Sequence, residues 1–186
     1  MELDDRELIA RVLARDDRHA FGELVRRHQS AVRGFLRRLT GGREAVADDL
    51  AQEAFVEAYR HLAAYRGEAA FSTWLAGIAC NRWRNHRRRH RETEEWTGDT
   101  APADAVAGYE AVVTAGTAAA DLRHDLSLAL ARLSDDEQAA IQLCFNQGLT
   151  HEEAADALGC PLGTVKTHLM RAKEKLRSQL QAWAPA

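Results

Sequence analysis

Apolar side chains recur along the chain at spacings of three and four residues, the period of a helix that buries one face. Four such segments fall within residues 1–91, and Gly41-Gly42 and Gly67 predict the ends of the second and third helices. Four helices of this size can bury one modest core. Their apolar positions are Leu3, Leu8, Ile9, Val12 and Leu13; Phe21, Leu24, Val25, His28, Val32, Phe35, Leu36 and Leu39; Val46, Leu50, Ala54, Phe55, Ala58 and Leu62; and Phe71, Trp74, Leu75, Ile78 and Ala79.

A second helical set begins with Leu126, Leu130 and Leu133. Ser134 and Glu137 have the spacing of a capping box, which predicts a helix through about Phe145. A second capping box follows at Thr150 and Glu153 and predicts a short helix. The apolar positions of that short helix are Ala154, Ala155 and Leu158.

The segment after this short helix has the chemistry of a sharp turn. Gly159 can supply a left-handed residue, and Thr164 can cap the next helix. That helix is predicted to bury Val165, Leu169, Ala172 and Leu176 and to expose Lys166, Thr167, Met170, Arg171 and Lys173. Two helices joined in this way predict a helix-turn-helix, whose second helix can enter a DNA major groove. The alternative is a helical hairpin with a charged outer face.

Composition agrees with an all-helical fold. The 186 residues are 46% apolar and 28% charged, the balance of a globular chain, and only three prolines and 12 glycines leave little punctuation for a β fold. No apolar run approaches the roughly 18 residues of a membrane span. The acidic N-terminus lacks the basic start of a signal peptide, so we expect a cytoplasmic protein. Three cysteines, Cys80, Cys144 and Cys160, form no CxxC pair and predict no disulfide framework.

The net charge of -3 is distributed unevenly. Residues 1–91 carry a net charge of +5 and residues 122–186 a net charge of -1, whereas residues 92–121 contain no lysine or arginine and carry -7. Residues 82–91 alone hold six arginines. This pattern predicts two small helical domains, 1–91 and 122–186, joined by an acidic, alanine-rich linker at 92–121.

Aromatic, arginine and amide side chains alternate between residues 65 and 85. Aromatic faces stack on unpaired bases and arginines hold phosphates, so this mixture suits single-stranded DNA better than intact duplex. The alternative is that Phe71, Trp74 and Ile78 are core residues at helical spacing.

Three segments, taken in order, resemble a bacterial RNA polymerase sigma factor of the extracytoplasmic-function (ECF) group. Asp49-Leu50-Ala51-Gln52-Glu53-Ala54-Phe55 is similar to that family's DLxQExF segment. Phe71-Ser72-Thr73-Trp74-Leu75, with Ile78-Ala79 and Asn81, is similar to its FxTWLxxIAxN segment. Residues 133–176 resemble its promoter-binding C-terminal domain, including the GTVK segment followed by Arg171. Ser134-Asp135 departs from the family, which usually has Leu-Pro there.

The resemblance implies a transcription initiation factor that binds core RNA polymerase and directs it to promoters. It implies polymerase contacts by Asp48, Asp49, Gln52, Glu53 and Phe55. It implies contacts to the melted -10 element, with assistance to promoter melting, by Arg66, Phe71, Ser72, Thr73, Trp74, Asn81, Arg82, Arg84, Asn85 and Arg88. It implies contacts to the duplex -35 element by Lys166, Thr167, Met170, Arg171 and Lys173. An anti-sigma factor is the further partner that the resemblance implies.

No catalytic centre is evident, and we expect neither an enzyme nor a bound cofactor. His86 and His90 stand four residues apart, but six neighbouring arginines would repel a metal ion. His151-Glu152 is not an HExxH motif, because position 155 is alanine. Two rival functions remain: a helix-turn-helix regulator with a helical sensor domain, and an enzyme with an acquired DNA-binding tail.

Overall fold

The computed structural model describes residues 3–97 and 118–183, and at 92–97, 118–120 and 123 it describes the backbone alone. Within these residues the chain forms eight α-helices and no strand, so the all-α prediction is confirmed. Residues 98–117, most of the predicted linker, lie outside the described residues. The fourth helix continues to Thr97, six residues past the predicted end of the first domain.

The first four helices form the N-terminal unit. They are α1 (Asp5–Arg15), α2 (Arg18–Leu39), α3 (Glu44–Arg60) and α4 (Phe71–Thr97), with a 3-10 turn at Leu62–Ala64 before α4. Their apolar stripes meet in one core that includes Leu24, Phe35, Leu36 and Leu75. Leu13 is the exception among the predicted core positions, because 51% of it is exposed at the outer edge of α1.

Local signals set the ends of these helices. The side chain of Asp4 accepts a hydrogen bond from the Glu7 backbone N–H, and Glu7 returns the bond to complete a capping box for α1. Gly41 and Gly42 have φ values of 65° and 86°, which end α2 as the sequence predicts. The chain then turns directly into α3, so α2 and α3 pack as antiparallel neighbours.

The C-terminal unit contains α5 (Ala118–Ala131), α6 (Asp135–Ile141), α7 (His151–Leu158) and α8 (Leu162–Gln179). Both predicted capping boxes are confirmed, since Ser134 and Thr150 accept bonds from Glu137 and Glu153 at 3.3 and 3.1 Å. The predicted helix through Phe145 is confirmed in extent, but its last turn, Gln142–Asn146, is a π-helix.

The turn between α7 and α8 confirms one prediction and corrects another. Gly159 adopts a left-handed conformation with φ of 63°, as expected for the residue that ends α7. Thr164 does not cap α8. Pro161 is the N-cap residue, and the backbone N–H of Thr164 already donates to the Pro161 carbonyl at 2.9 Å, inside the first turn. The helix therefore starts three residues earlier than the threonine signal suggests, because proline favours the extended conformation that precedes a helix.

The two units pack against each other through α4. Helix α4 contacts α7 along its middle turns and the start of α6 near its arginines, and the π-helical turn reaches α2. Gly77 makes the closest approach: a Cβ added there would lie 2.9 Å from the Ala157 carbonyl oxygen.

Candidate nucleic-acid and polymerase interfaces

An acidic and amide surface lies on α3. The side chains of Asp49, Gln52 and Glu53 are exposed, whereas Asp48 is half-buried and pairs with Arg33, whose Nε lies 3.2 Å from Asp48 Oδ1. Phe55 is only 8% exposed and belongs to the core. In this structure Phe55 points inward on the helix, as its place in the apolar stripe predicts, and supports the acidic face from below.

Four aromatic rings meet where the loop before α4 joins that helix. Phe71 packs against His28, Tyr65 and Trp74 with ring centroids 5.3, 5.8 and 5.7 Å away. Phe71 is 3% exposed and Thr73 is buried, so neither presents a surface to DNA in this structure. The core alternative for Phe71 is right, because the residue at the first position of α4 faces α2.

Other members of this region do reach solvent. Ser72 and Arg66 are exposed, and Trp74 is half-buried against Tyr65 at a centroid distance of 5.4 Å. Tyr65 donates from its hydroxyl to the Ala69 carbonyl at 2.6 Å and so shapes the loop. Burial raises the pKa of Tyr65. Tyr65 was absent from the expected site, although its place among the aromatics and arginines could have indicated it.

The arginine-rich part of α4 is largely engaged within the protein. Arg82 pairs with Glu57 at 3.0 Å inside the N-terminal unit. Arg84 pairs with Asp136, and Arg87 and Arg91 both pair with Asp135. Of the remaining residues expected to follow the -10 strand, Asn81 and Arg88 are exposed and Asn85 is half-buried.

The two histidines of α4 lie side by side. The rings of His86 and His90 pack edge to face with centroids 4.5 Å apart. Burial lowers the pKa of His86, and His90 and Arg43 lower it further. Among the described residues, no group of three or more His, Cys, Asp or Glu side chains could hold a metal ion.

Helices α7 and α8 cross as a helix-turn-helix. Val165, Leu169 and Ala172 are buried and Leu176 is half-buried, so the predicted inner face of α8 is confirmed. On the outer face Lys166, Arg171 and Lys173 are exposed, and Met170 is 61% exposed. Thr167 is half-buried and donates its hydroxyl to the Gly163 carbonyl at 2.8 Å. The outer face is thus basic and open to solvent.

Lys173 on this face lies close to an aromatic ring. Its Nζ lies 5.0 Å from the ring centroid of Phe145, which is exposed at the π-helical turn.

Across the described residues, no helix combines the length and apolar character needed to cross a membrane.

Two family models match the chain in the order that the sequence predicts. The model for sigma-70 region 2 matches residues 24–93, and a model for sigma-70 region 4 matches residues 123–176. The first covers α2–α4 with the acidic face, the aromatic cluster and the arginines, and the second covers the helix-turn-helix. Residues 24–93 are therefore sigma region 2 and not the sensor domain of a regulator.

Relatives match over almost their whole length. The RNA polymerase sigma-H factor of Pseudomonas aeruginosa is 33% identical over 188 residues, which cover 95% of this chain and 94% of that protein. The ECF RNA polymerase sigma-E factor of Escherichia coli K12 is 32% identical over 193 residues, covering 97% of this chain and 96% of that protein.

Solved structures of similar proteins lead to the same family. The chain is similar to CnrH, solved in complex with the cytosolic domain of CnrY, with a TM-score of 0.66 and 27% identity over 97% of this chain and 99% of that one. It is also similar to the sigma factor RpoE of Bartonella quintana, solved with the anti-sigma factor NepR, with a TM-score of 0.65 and 27% identity over 87% and 96% of the two chains. The chain belongs to the ECF sigma factors of the sigma-70 family and is a transcription initiation factor that directs RNA polymerase to promoters.

Proposed function

We propose that the two units of this sigma factor divide promoter recognition between them. The C-terminal unit reads the duplex -35 element with the outer face of α8. The observation that carries this assignment is the basic outer face of α8, which projects from a capped helix-turn-helix whose inner face is buried. A helix held in this way can enter a major groove and present lysine and arginine to base edges and phosphates.

The N-terminal unit contacts polymerase and the melted -10 strand. Asp49, Gln52 and Glu53 provide an exposed acidic and amide patch for a basic surface of core polymerase, where charge sets the orientation of the contact. Asp48 contributes once its pair with Arg33 is exchanged. Phe55 holds α3 in place from the core side.

The -10 strand lies along the loop before α4 and along α4 itself. Trp74 and Tyr65 offer half-buried rings on which unpaired bases stack, with Phe71 and Thr73 behind them as support. The strand is held by the exposed Arg66, Ser72, Asn81 and Arg88, together with Arg82, Arg84 and Asn85. Protein–phosphate contacts of this kind position the DNA, whereas stacking favours the unpaired state and assists melting.

We further propose that an anti-sigma factor binds this chain. RpoE of Bartonella quintana was solved with the anti-sigma factor NepR, and CnrH was solved with the cytosolic domain of CnrY; the similarity of both extends over most of this chain. The protein acts in the cytoplasm, where RNA polymerase and the chromosome are, and it carries out no catalytic step of its own.

Reconstituted transcription tests the proposed function. Purified core polymerase, with and without this chain, would transcribe a library of genomic fragments, and RNA 5′ ends would be mapped by sequencing. Transcripts that depend on the chain should begin downstream of one shared pair of sequence elements. The absence of chain-dependent start sites, with a second sigma factor active on the same core preparation, would contradict the proposal.

A further inference from the structure

A large aromatic side chain lies exposed beside the recognition helix α8. Phe145 is 59% exposed at the π-helical turn that ends α6, whereas Leu143, two residues earlier, is fully buried. A single exposed apolar side chain is common on protein surfaces, so the groups around Phe145 decide what it does.

The group next to this ring is a lysine of α8. The Nζ of Lys173 lies 5.0 Å from the Phe145 ring centroid, within the roughly 6 Å over which an ammonium group is attracted to an aromatic face. The thiol of the adjacent Cys144 also senses this charge: burial raises the pKa of Cys144, and Lys173 lowers it in part. The Lys173 ammonium group is therefore held over the π-helical turn.

Two lysines of α8 are held in two different ways. Lys175 donates to both carboxylate oxygens of Glu137, so its charge is paired inside the protein. Lys173 lies over a ring instead and, within the part of the chain that the structure describes, forms no ion pair with a carboxylate. An aromatic face orients an ammonium group but does not neutralise it. Lys173 is therefore both positioned and available to an anion.

Lys173 belongs to an exposed row along the outer face of α8. Spacings of four, three and four residues align this row, whose members are Lys166, Met170, Lys173 and Arg177. Arg171 lies on the other flank, since helix residues two positions apart point about 200° apart. A recognition helix in a major groove runs between two phosphate backbones, so the row with Phe145 faces one strand and Arg171 faces the other.

The contact between Phe145 and Lys173 gains strength when DNA is bound. An ammonium group over an exposed ring is attracted weakly, and the attraction grows when water is removed from the pair. Docking of a DNA backbone removes that water. A lysine that is already oriented also loses less side-chain entropy on binding than a freely rotating one. The ring therefore contributes more in the complex than in the free chain.

We propose that Phe145 is a positioning residue of the -35 surface, whose ring holds the Lys173 ammonium group toward a backbone phosphate of the -35 duplex. The inference rests on the proposed role of α8, and it extends the DNA-binding surface to the end of α6, outside the helix-turn-helix. Because a phosphate contact carries no sequence information, Phe145 strengthens binding to all -35 sequences alike.

Three substitutions separate the ring from its charge partner. Phe145→Leu keeps an apolar side chain and removes the aromatic face, whereas Phe145→Tyr keeps the face. Lys173→Met removes the charge and keeps most of the aliphatic stem. Leu13→Ala is the control for trimming an exposed apolar side chain, because Leu13 is 51% exposed on α1 in the other unit.

The measurement is the Kd of holoenzyme, assembled from core polymerase and each full-length variant, for a promoter fragment that the unmodified chain recognises, over a series of salt concentrations. Phe145→Leu should weaken binding about fivefold. It should also lower the salt dependence toward that of Lys173→Met, which loses about one phosphate contact. Phe145→Tyr and Leu13→Ala should match the unmodified chain. In a chain that already carries Lys173→Met, Phe145→Leu should cause no further loss.

Each other result overturns the inference. Unchanged binding by Phe145→Leu would remove the ring from the -35 surface and leave the proposed role of α8 intact. Binding by Phe145→Tyr that is as weak as that by Phe145→Leu would show that the aromatic face is not what matters. An equal loss from Phe145→Leu with and without Lys173→Met would show that Phe145 does not act through the lysine. Failure of the unmodified chain to direct core polymerase to any promoter would overturn the proposed function, and the inference with it.

Discussion

Lys175 of α8 places its Nζ 2.9 and 2.7 Å from the two carboxylate oxygens of Glu137 in α6. Glu137 is only 4% exposed and is also the third residue of the α6 capping box, where its Oε2 accepts from the Ser134 backbone N–H at 2.9 Å. One carboxylate thus joins the start of α6 to the recognition helix of the helix-turn-helix. The two residues are 38 positions apart in the sequence. The orientation of α8 depends on the contact between them.

Replacing Lys175 should weaken the C-terminal unit. Lys175→Met keeps most of the aliphatic stem but leaves a buried carboxylate with only its capping bonds, so we expect a loss of about 1–3 kcal/mol in the free energy of unfolding. Chemical denaturation followed by circular dichroism would measure it. Arg177→Met, at an exposed position two residues along α8, is the matched control. Equal stability of the two variants would contradict a structural role for the Lys175–Glu137 pair.

The same pair predicts a pH dependence. Burial raises the pKa of Glu137, but hydrogen bonds from Lys175 and Ser134 outweigh it, and the pKa falls below its ordinary value of 4.5. A carboxyl group with a lowered pKa stabilises the folded state above its unfolded pKa, and this stabilisation is lost as the pH falls through the folded value. The difference in the free energy of unfolding between the unmodified chain and Lys175→Met should therefore have its full size near pH 7 and shrink below about pH 4.5. A difference that stays constant down to about pH 2.5 would contradict this assignment.

Charge reversal on α3 should weaken binding to core polymerase. Asp49→Lys with Glu53→Lys inverts an exposed acidic patch at positions four residues apart on one helix face. The change leaves the core untouched, so helical content should be unchanged. Competition for core polymerase against the unmodified chain would measure the loss, expected to be about tenfold or more. The control is Asp156→Lys with Glu174→Lys, which changes the charge equally on exposed positions of α7 and α8. Equal competition by both double variants would remove Asp49 and Glu53 from the polymerase surface.

Local signals and apolar spacing made most of the fold and the inner face of α8 predictable, whereas the roles of Phe55 and Phe71 and the long-range ion pairs were not. Capping boxes and left-handed glycines act within five residues, so Ser134, Thr150 and Gly159 could be placed from sequence. Phe55 and Phe71 stand at the border of their apolar stripes, where one step in helix rotation decides between core and surface. The ion pairs of Arg84, Arg87 and Arg91 join residues about 50 positions apart and depend on how the two units meet, which no local pattern encodes.

The core position of Phe71 separates stability from strand capture. Phe71→Ala should lower the free energy of unfolding by about 3–5 kcal/mol, because it empties a space filled against His28, Tyr65 and Trp74. Phe71→Leu refills much of that space and should support normal permanganate reactivity of -10 thymines in a complex with core polymerase. Trp74→Ala should reduce that reactivity, because stacking on a half-buried ring is worth about 1–3 kcal/mol per base. Loss of thymine reactivity in a stably folded Phe71→Leu variant would place Phe71 itself against a base.

The orientation of α8 predicts which of its residues read bases in the -35 element. Lys166 and Thr167 lie in the first turns, at the end of a recognition helix that reaches deepest into a major groove, and Arg171 lies farther along. Lys166→Ala should relax the preference at one base pair, worth about 1–3 kcal/mol of discrimination. Arg171→Ala should weaken all sequences alike and reduce the salt dependence of binding by about one phosphate contact.

Thr167 allows a sharper version of this test. Its hydroxyl proton is already donated to the Gly163 carbonyl at 2.8 Å, so only its methyl group and an oxygen lone pair remain for DNA. A methyl group contacts the C5-methyl of thymine, and valine retains that methyl while losing the oxygen. Thr167→Val should therefore keep the -35 preference, whereas Thr167→Ser should lose it at one position. Transcription from promoter libraries randomised across the -35 element would measure both. If Lys166→Ala, Thr167→Ser and Thr167→Val all leave the preference unchanged, the first turns of α8 do not face the bases, and the groove must be read from the Met170–Lys173 side of the helix.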